Sequence, residues 1–188
     1  MHQLTEEQGR SLLALARKTL EHQLTGGEAP PQPTDPALLA SAATFVTLKL
    51  SGRLRGCIGN LQPVGTLWQG IRDNAINAAC HDHRFSPLTA AELAKVHIDI
   101  SVLSAPEPLE YSDSSDLIRK LSPGIDGVII RDGRRSATFL PQVWQQLPIP
   151  EQFLGHLCQK AGLSERAWRD TKLEVQIYHV QCFAEEVA

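Results

Sequence analysis

The sequence predicts an α+β domain, a mostly antiparallel sheet flanked by helices. Three observations predict it. Leu12, Leu13, Ala16, Leu20 and Leu24 recur at the spacing of one helix face. Strand-like runs meet at Ser51-Gly52 and at Asp132-Gly133, the short turns that join antiparallel neighbours. Between these turns, Val96 to Ser104 alternates apolar and polar residues as a half-buried strand does. Helices and hairpin-linked strands that mix in this way make an α+β architecture.

In chain order, Thr5 and Gln8 fit a capping box with Leu4 ahead of it, so a first helix is expected over Glu6–Gln23. Gly26 to Pro36 holds two glycines and four prolines and reads as a surface loop. Ala43–Leu50 and Arg53–Ile58 read as the arms of a hairpin. A second helix is expected from about Val64, after Pro63, with a stripe of Leu67, Trp68, Ile71, Ala75, Ala78 and Ala79. Its alanine-rich end would let it lie close on the sheet. Thr89–Ala94 is a short helix capped by Thr89 and Glu92. In the strand after it, Asp99 and Ser101 point to a polar side. Ser112–Leu121 is another short helix. Asp126–Arg131 and Arg134–Phe139 form a hairpin with Asp132-Gly133 expected as a type I′ turn. Prolines open helices at Pro141 and Pro150, and Gly162 with Leu163 suits the end of the second. Trp168 falls in a short helix or turn, and Thr171–Phe183 is expected as one long final strand.

Composition narrows the function. The 188 residues suit one domain, and 42% hydrophobic residues can fill a core. Eighteen Lys and Arg against 21 Asp and Glu give a formal charge of −3. Nucleic-acid binding usually brings a basic surplus, so none is expected. Aromatics at 5% leave few stacking platforms for single strands. Cys57, Cys80, Cys158 and Cys182 show no CxxC spacing and no secretory signal is visible, so reduced thiols in a cytoplasmic protein are expected. No apolar run approaches the roughly 20 residues of a membrane span, so no membrane partner is expected.

The run Leu54-Arg55-Gly56-Cys57-Ile58-Gly59-Asn60 departs from ordinary strand chemistry. Glycine weakens a strand and arginine needs a partner inside a sheet. Alternation puts Leu54, Gly56 and Ile58 on the core face, with Arg53, Arg55 and Cys57 opposite. A guanidinium beside a thiol favours thiolate. Cys57 is therefore a candidate nucleophile, and Arg55 a candidate stabiliser of that thiolate or of an anion. Gly56, Gly59 and Asn60 are candidate ligand-binding positions, because bare backbone admits close approach. The plainer reading is that Cys57 is a small buried hydrophobe and the glycines mark a bulge. Downstream, Cys80-His81-Asp82-His83-Arg84 gathers possible metal ligands. Adjacent residues of one segment rarely converge on one ion, so no metal and no cofactor are predicted. Asp82 is a candidate acid/base, with His81 as an alternative, and Arg84 a candidate ligand contact. An Asp82–Arg84 ion pair fixing the loop before Pro87 is the alternative.

Leu54-Arg55-Gly56-Cys57-Ile58-Gly59 resembles the signature of the AMMECR domain family, whose bacterial and archaeal members are called AmmeMemoRadiSam system protein A. The resemblance extends through Asp82 with Arg84-Phe85-Ser86-Pro87-Leu88, Glu92-Leu93, Ile98 to Leu103, Gly124 to Val128, Phe139 to Trp144 and Phe153 to Gly162. His83 stands where the family usually has proline. The resemblance implies a two-subdomain fold within the single domain 1–188, with a second, smaller β-containing subdomain. A cleft between the two would suit Arg55, Cys57, Asp82 and Arg84. It implies no established activity. The family's name implies Memo-like and radical-SAM proteins as partners. An accessory protein binding a ligand or protein through the Arg55–Gly59 surface is therefore one expectation. An enzyme built on Cys57 is the alternative, and an RNA-associated protein is a third reading that the composition disfavours.

Overall fold

Strand β1 (Ala43–Leu50) sits inside the first sheet, with β2 (Arg53–Gly59) and β3 (Val96–Leu103) antiparallel on either side. The sheet is seen in a computed structural model that describes residues 3–186. Strand β8 (Val180–Ala184) completes it in the order β2-β1-β3-β8. The chain divides into two compact units. One runs to Leu103 and resumes at Gln181, and the other is Ser104–Val180.

In the first unit, helix α1 (Glu6–Thr25) begins at the expected capping box. Gln8 N–H donates to Thr5 Oγ1 at 3.2 Å, and Thr5 N–H to Gln8 Oε1 at 2.9 Å. Gly26, at φ +73°, ends the helix two residues beyond the expected stop. A single turn, α2 (Pro36–Leu39), follows, capped by Asp35 and opened by Pro36. Helix α3 (Leu67–Cys80) starts later than Val64. The cap is Thr66, whose hydroxyl and backbone exchange hydrogen bonds with Gln69, so the turn before it stays open. Short α4 (Ala90–Leu93) has Thr89 and Glu92 as its capping box. Leu12, Ala16 and Leu20 of α1 and Ile71, Ala75 and Ala78 of α3 bury against Val46, Leu48, Ile98 and Ile100. Each such large apolar side chain stabilises by about 1.5–3 kcal/mol. Asn74 adds a buried polar anchor, its amide donating to the Thr44 carbonyl at 3.0 Å and Oγ1 at 2.9 Å.

The second unit holds the sheet β4-β7-β5-β6, built from β4 (Glu107–Pro108), β5 (Gly127–Asp132), β6 (Arg135–Phe139) and β7 (Glu174–Tyr178). Helix α5 (Ser114–Lys120), a 3₁₀ turn (Pro141–Gln145), α6 (Pro150–Lys160) and α7 (Ala167–Asp170) accompany it. Val128, Ile130 and Val175 pack with Leu117, Phe153, Leu157 and Cys158. Trp144 stacks on Phe153 with ring centroids 3.7 Å apart. Gly162 closes α6 at φ +74°, with its N–H on Gln159 O and that of Leu163 on Cys158 O, the six-residue cap expected there.

Two further expectations change. The 171–183 strand is two strands, β7 and β8, in different sheets, because the chain leaves the second unit at that point. The apolar phase shifts at Ile177-Tyr178, from Leu173, Val175 and Ile177 to Tyr178, Val180 and Cys182, and this is where the chain breaks between them. The type I′ pattern of two positive φ angles occurs at Ser51 (50°) and Gly52 (76°). At the other hairpin Asp132 pairs with Arg135, so the central residues are Gly133 and Arg134. Only Gly133 has a positive φ there, the pattern of a type II′ turn.

Candidate functional site

The pairing of β1 with β2 slips between Leu48 and Lys49, which face Gly56 and Leu54. Arg55 is the extra residue of a bulge. The slip reverses the alternation before it, so Leu54 is 45% exposed and not on the core face. The bulge also re-aims Arg55. Its guanidinium donates to Glu92 through Nε at 3.0 Å and Nη2 at 3.1 Å, and through Nη1 to the Ser86 carbonyl at 2.9 Å. Glu92 simultaneously caps α4 by accepting from the N–H and hydroxyl of Thr89. Arg55 foremost, then Thr89, lowers the Glu92 carboxyl to a pKa of about 2. Arg55 thus ties β2 to α4 and to the segment entering it.

As an edge strand, β2 lacks a neighbour on its outer side. At Cys57 two side chains replace that neighbour. Cys57 N–H donates to Asp82 Oδ2 at 2.9 Å, and its carbonyl accepts from Arg84 Nη2 at 3.2 Å. Asp82 and Arg84 are themselves paired, Nη2 to Oδ2 at 2.7 Å and Nε to Oδ1 at 2.9 Å. The Asp82 side chain is 4% exposed and that of Arg84 56%. Arg84 holds the Asp82 carboxyl far below the usual carboxylate range, helped by the Cys57 and Arg84 backbone N–H groups and opposed by burial. Asp82 is therefore an ionised acceptor at neutral pH.

The glycines mark close approach within the fold. A Cβ on Gly56 would lie 2.1 Å from the Ala78 carbonyl oxygen of α3. One on Gly59 would lie 2.2 Å from the Phe45 ring and 2.4 Å from the Thr44 carbonyl. Asn60 N–H donates to that same carbonyl at 2.9 Å.

The sulfur of Cys57 is half-buried and accepts from Thr47 Oγ1 at 3.2 Å. Thr47 pairs across the sheet with Asp99, which lies between Lys49 and His97. His81 is exposed and faces Asn77 Oδ1 at 3.0 Å. Burial raises the Cys80 thiol. Among the described residues no three His, Cys, Asp or Glu side chains are placed to hold a metal ion, and no helix is long and apolar enough to cross a membrane. Cys57, Asp82 and Arg84 thus come together, and Arg55 is drawn to Glu92. Glu92 and Thr47 are the contributors that sequence reading left out of the site. Glu92 announced itself as a cap and within the resemblance, not as a partner of Arg55. Thr47 became visible only through the strand register.

A family model described as AMMECR1 matches residues 13–183. A protein of Thermofilum pendens is 38% identical over 98% of this chain and 93% of its own length. One from Methanosarcina acetivorans is 40% identical over 97% of this chain and 94% of its own. The crystal structure of the uncharacterised protein PH0010 from Pyrococcus horikoshii superposes with a TM-score of 0.82 at 36% identity, covering 97% of this chain and 94% of that one.

Proposed function

The chain belongs to the AMMECR1 family, and from that premise we propose that it is an accessory protein that binds a Memo-like or radical-SAM partner through the surface around β2. The observation that carries this reading is how the motif spends its groups. Arg55 is engaged by Glu92, and Asp82 by Arg84 and the Cys57 backbone. Apolar side chains are instead exposed at both ends of β2, Leu54 at 45%, Leu61 at 39% and Val64 at 70%. Exposed apolar side chains on a braced backbone suit docking. The choice of partners rests on the resemblance of the signature to AmmeMemoRadiSam system protein A. In binding assays with separately purified Memo-like and radical-SAM proteins of the same cell, Leu61→Glu with Val64→Glu should weaken one of the two interactions at least tenfold, about 1.4 kcal/mol, with an unchanged melting temperature. Unchanged affinity, or no binding by the unaltered protein, removes the proposal.

The hydroxyl that Thr47 directs at Cys57 Sγ favours a second reading, in which Cys57 is a nucleophile or redox centre. Donation to sulfur stabilises thiolate. Alkylation of the folded protein should then label Cys57, with Cys57→Ser as the blank. A thiol that reacts only on unfolding ends this reading.

A further inference from the structure

A cavity of about 750 Å³ opens at the end of the first sheet, beside the Ser51-Gly52 turn. Its size is that of small-molecule sites, roughly 300–1,000 Å³. Lys49, Lys95 and His97 line it, together with Arg17, Glu185 and Glu186. The charges are not equivalent. Arg17 donates to Glu185 Oε1 at 3.0 Å and to the carbonyls of Leu93 and Val96, both at 2.7 Å. Glu185 also accepts from Ile98 N–H at 2.9 Å. That pair is a neutral, braced floor. Lys95 has no ion-pair partner among the described residues.

Lys49 and His97 are cross-strand neighbours, and both turn to one carboxylate, Asp99, which does not line the cavity. Lys49 pairs with Asp99 Oδ2. His97 Nε2 stands 3.4 Å from Oδ1, which has no hydrogen-bond partner among the described residues. The carboxylate thus sits behind both side chains, while Lys95, Arg17, Glu185 and Glu186 complete the charged lining.

We propose that this cavity binds a small molecule through its phosphate or carboxylate group, held by Lys49, Lys95 and His97, with Asp99 positioning Lys49 and His97 from behind. The proposal is independent of the β2 surface.

The test is calorimetric titration of the whole protein near pH 7.5 with pyrophosphate and, separately, with citrate, at fixed ionic strength. The arm that binds identifies the anionic group. Saturable binding is expected. Lys49→Ala with Lys95→Ala should weaken it at least tenfold, Glu186→Gln should strengthen it, and His97→Ala should weaken it. Melting curves check that each variant is folded. Binding of neither anion overturns the proposal, as does equal binding by the folded double variant. Unchanged affinity in a folded His97→Ala protein overturns the role of His97.

Discussion

Replacing Gly56 with alanine should cost this protein about 3 kcal/mol or more of stability, a large share of the 5–15 kcal/mol that holds a typical domain folded. The new Cβ would stand 2.1 Å from the Ala78 carbonyl oxygen and 3.1 Å from its carbon. Both are backbone atoms in the last turn of α3, so no rotamer change relieves the clash. Either α3 lifts from β2, or β2 gives up its register with β1. Ala75, Ala78 and Ala79 are buried along that contact, so lifting the helix opens a gap along its length. Urea unfolding should show a lowered midpoint, with a fall in melting temperature of roughly 6–12 °C. Gly27→Ala is the control, since its Cβ would meet nothing closer than 3.8 Å. A Gly56→Ala protein as stable as that control would mean that α3 is far less closely packed than described.

Asp82→Ala should cost about 2–3 kcal/mol at neutral pH. Breaking a buried ion pair costs about 3–5 kcal/mol when the surviving charge stays buried. Arg84 is 56% exposed and can return to water, which lowers the figure. The variant also strips the acceptor from Cys57 N–H. The pH dependence separates these contributions. The Asp82 pKa is depressed in the folded state, so its stabilisation is fully present above the unfolded value of about 3.9. It is lost as pH falls from there toward the folded value. Glu92 behaves in the same sense, between about 4.3 unfolded and about 2 folded. The stability gap between unaltered protein and Asp82→Ala should be flat above pH ~5 and narrow below pH ~4. A gap that stays constant down to pH 3 would mean that the Asp82 charge contributes nothing.

What could be read in the chain depended on whether the signal was local. Capping boxes at Thr5–Gln8 and Thr89–Glu92 involve residues three apart, and both helices begin there. Strands β1 and β3 follow from period-two alternation and match their expected starts. The features that failed depend on distant partners. The bulge at Arg55 is a relation between two strands, and the partner it aims Arg55 at, Glu92, lies 37 residues away. The split between β7 and β8 shows locally only as a shift of the apolar phase at Ile177-Tyr178, which does not say that the two halves join different sheets. Gly56 looked like room for a ligand because absence of a side chain says only that something comes close. The neighbour is Ala78. Asp82 and Arg84 were legible as a pair, but their joint grip on the Cys57 backbone required β2 to be known as an edge.

The sheet order β2-β1-β3-β8 also has a consequence for how the protein is made. Strands β1, β2 and β3 all leave the ribosome before the second unit, but β8 follows the whole of it. The outer edge of β3 therefore waits, unpaired, while the whole of Ser104–Val180 is synthesised. Translation at roughly 5–20 residues per second makes that wait several seconds long. Until Val180–Ala184 has emerged, the first unit keeps a sticky β3 edge. Emergence of that strand, more than any step within the helices, is what completes the first sheet.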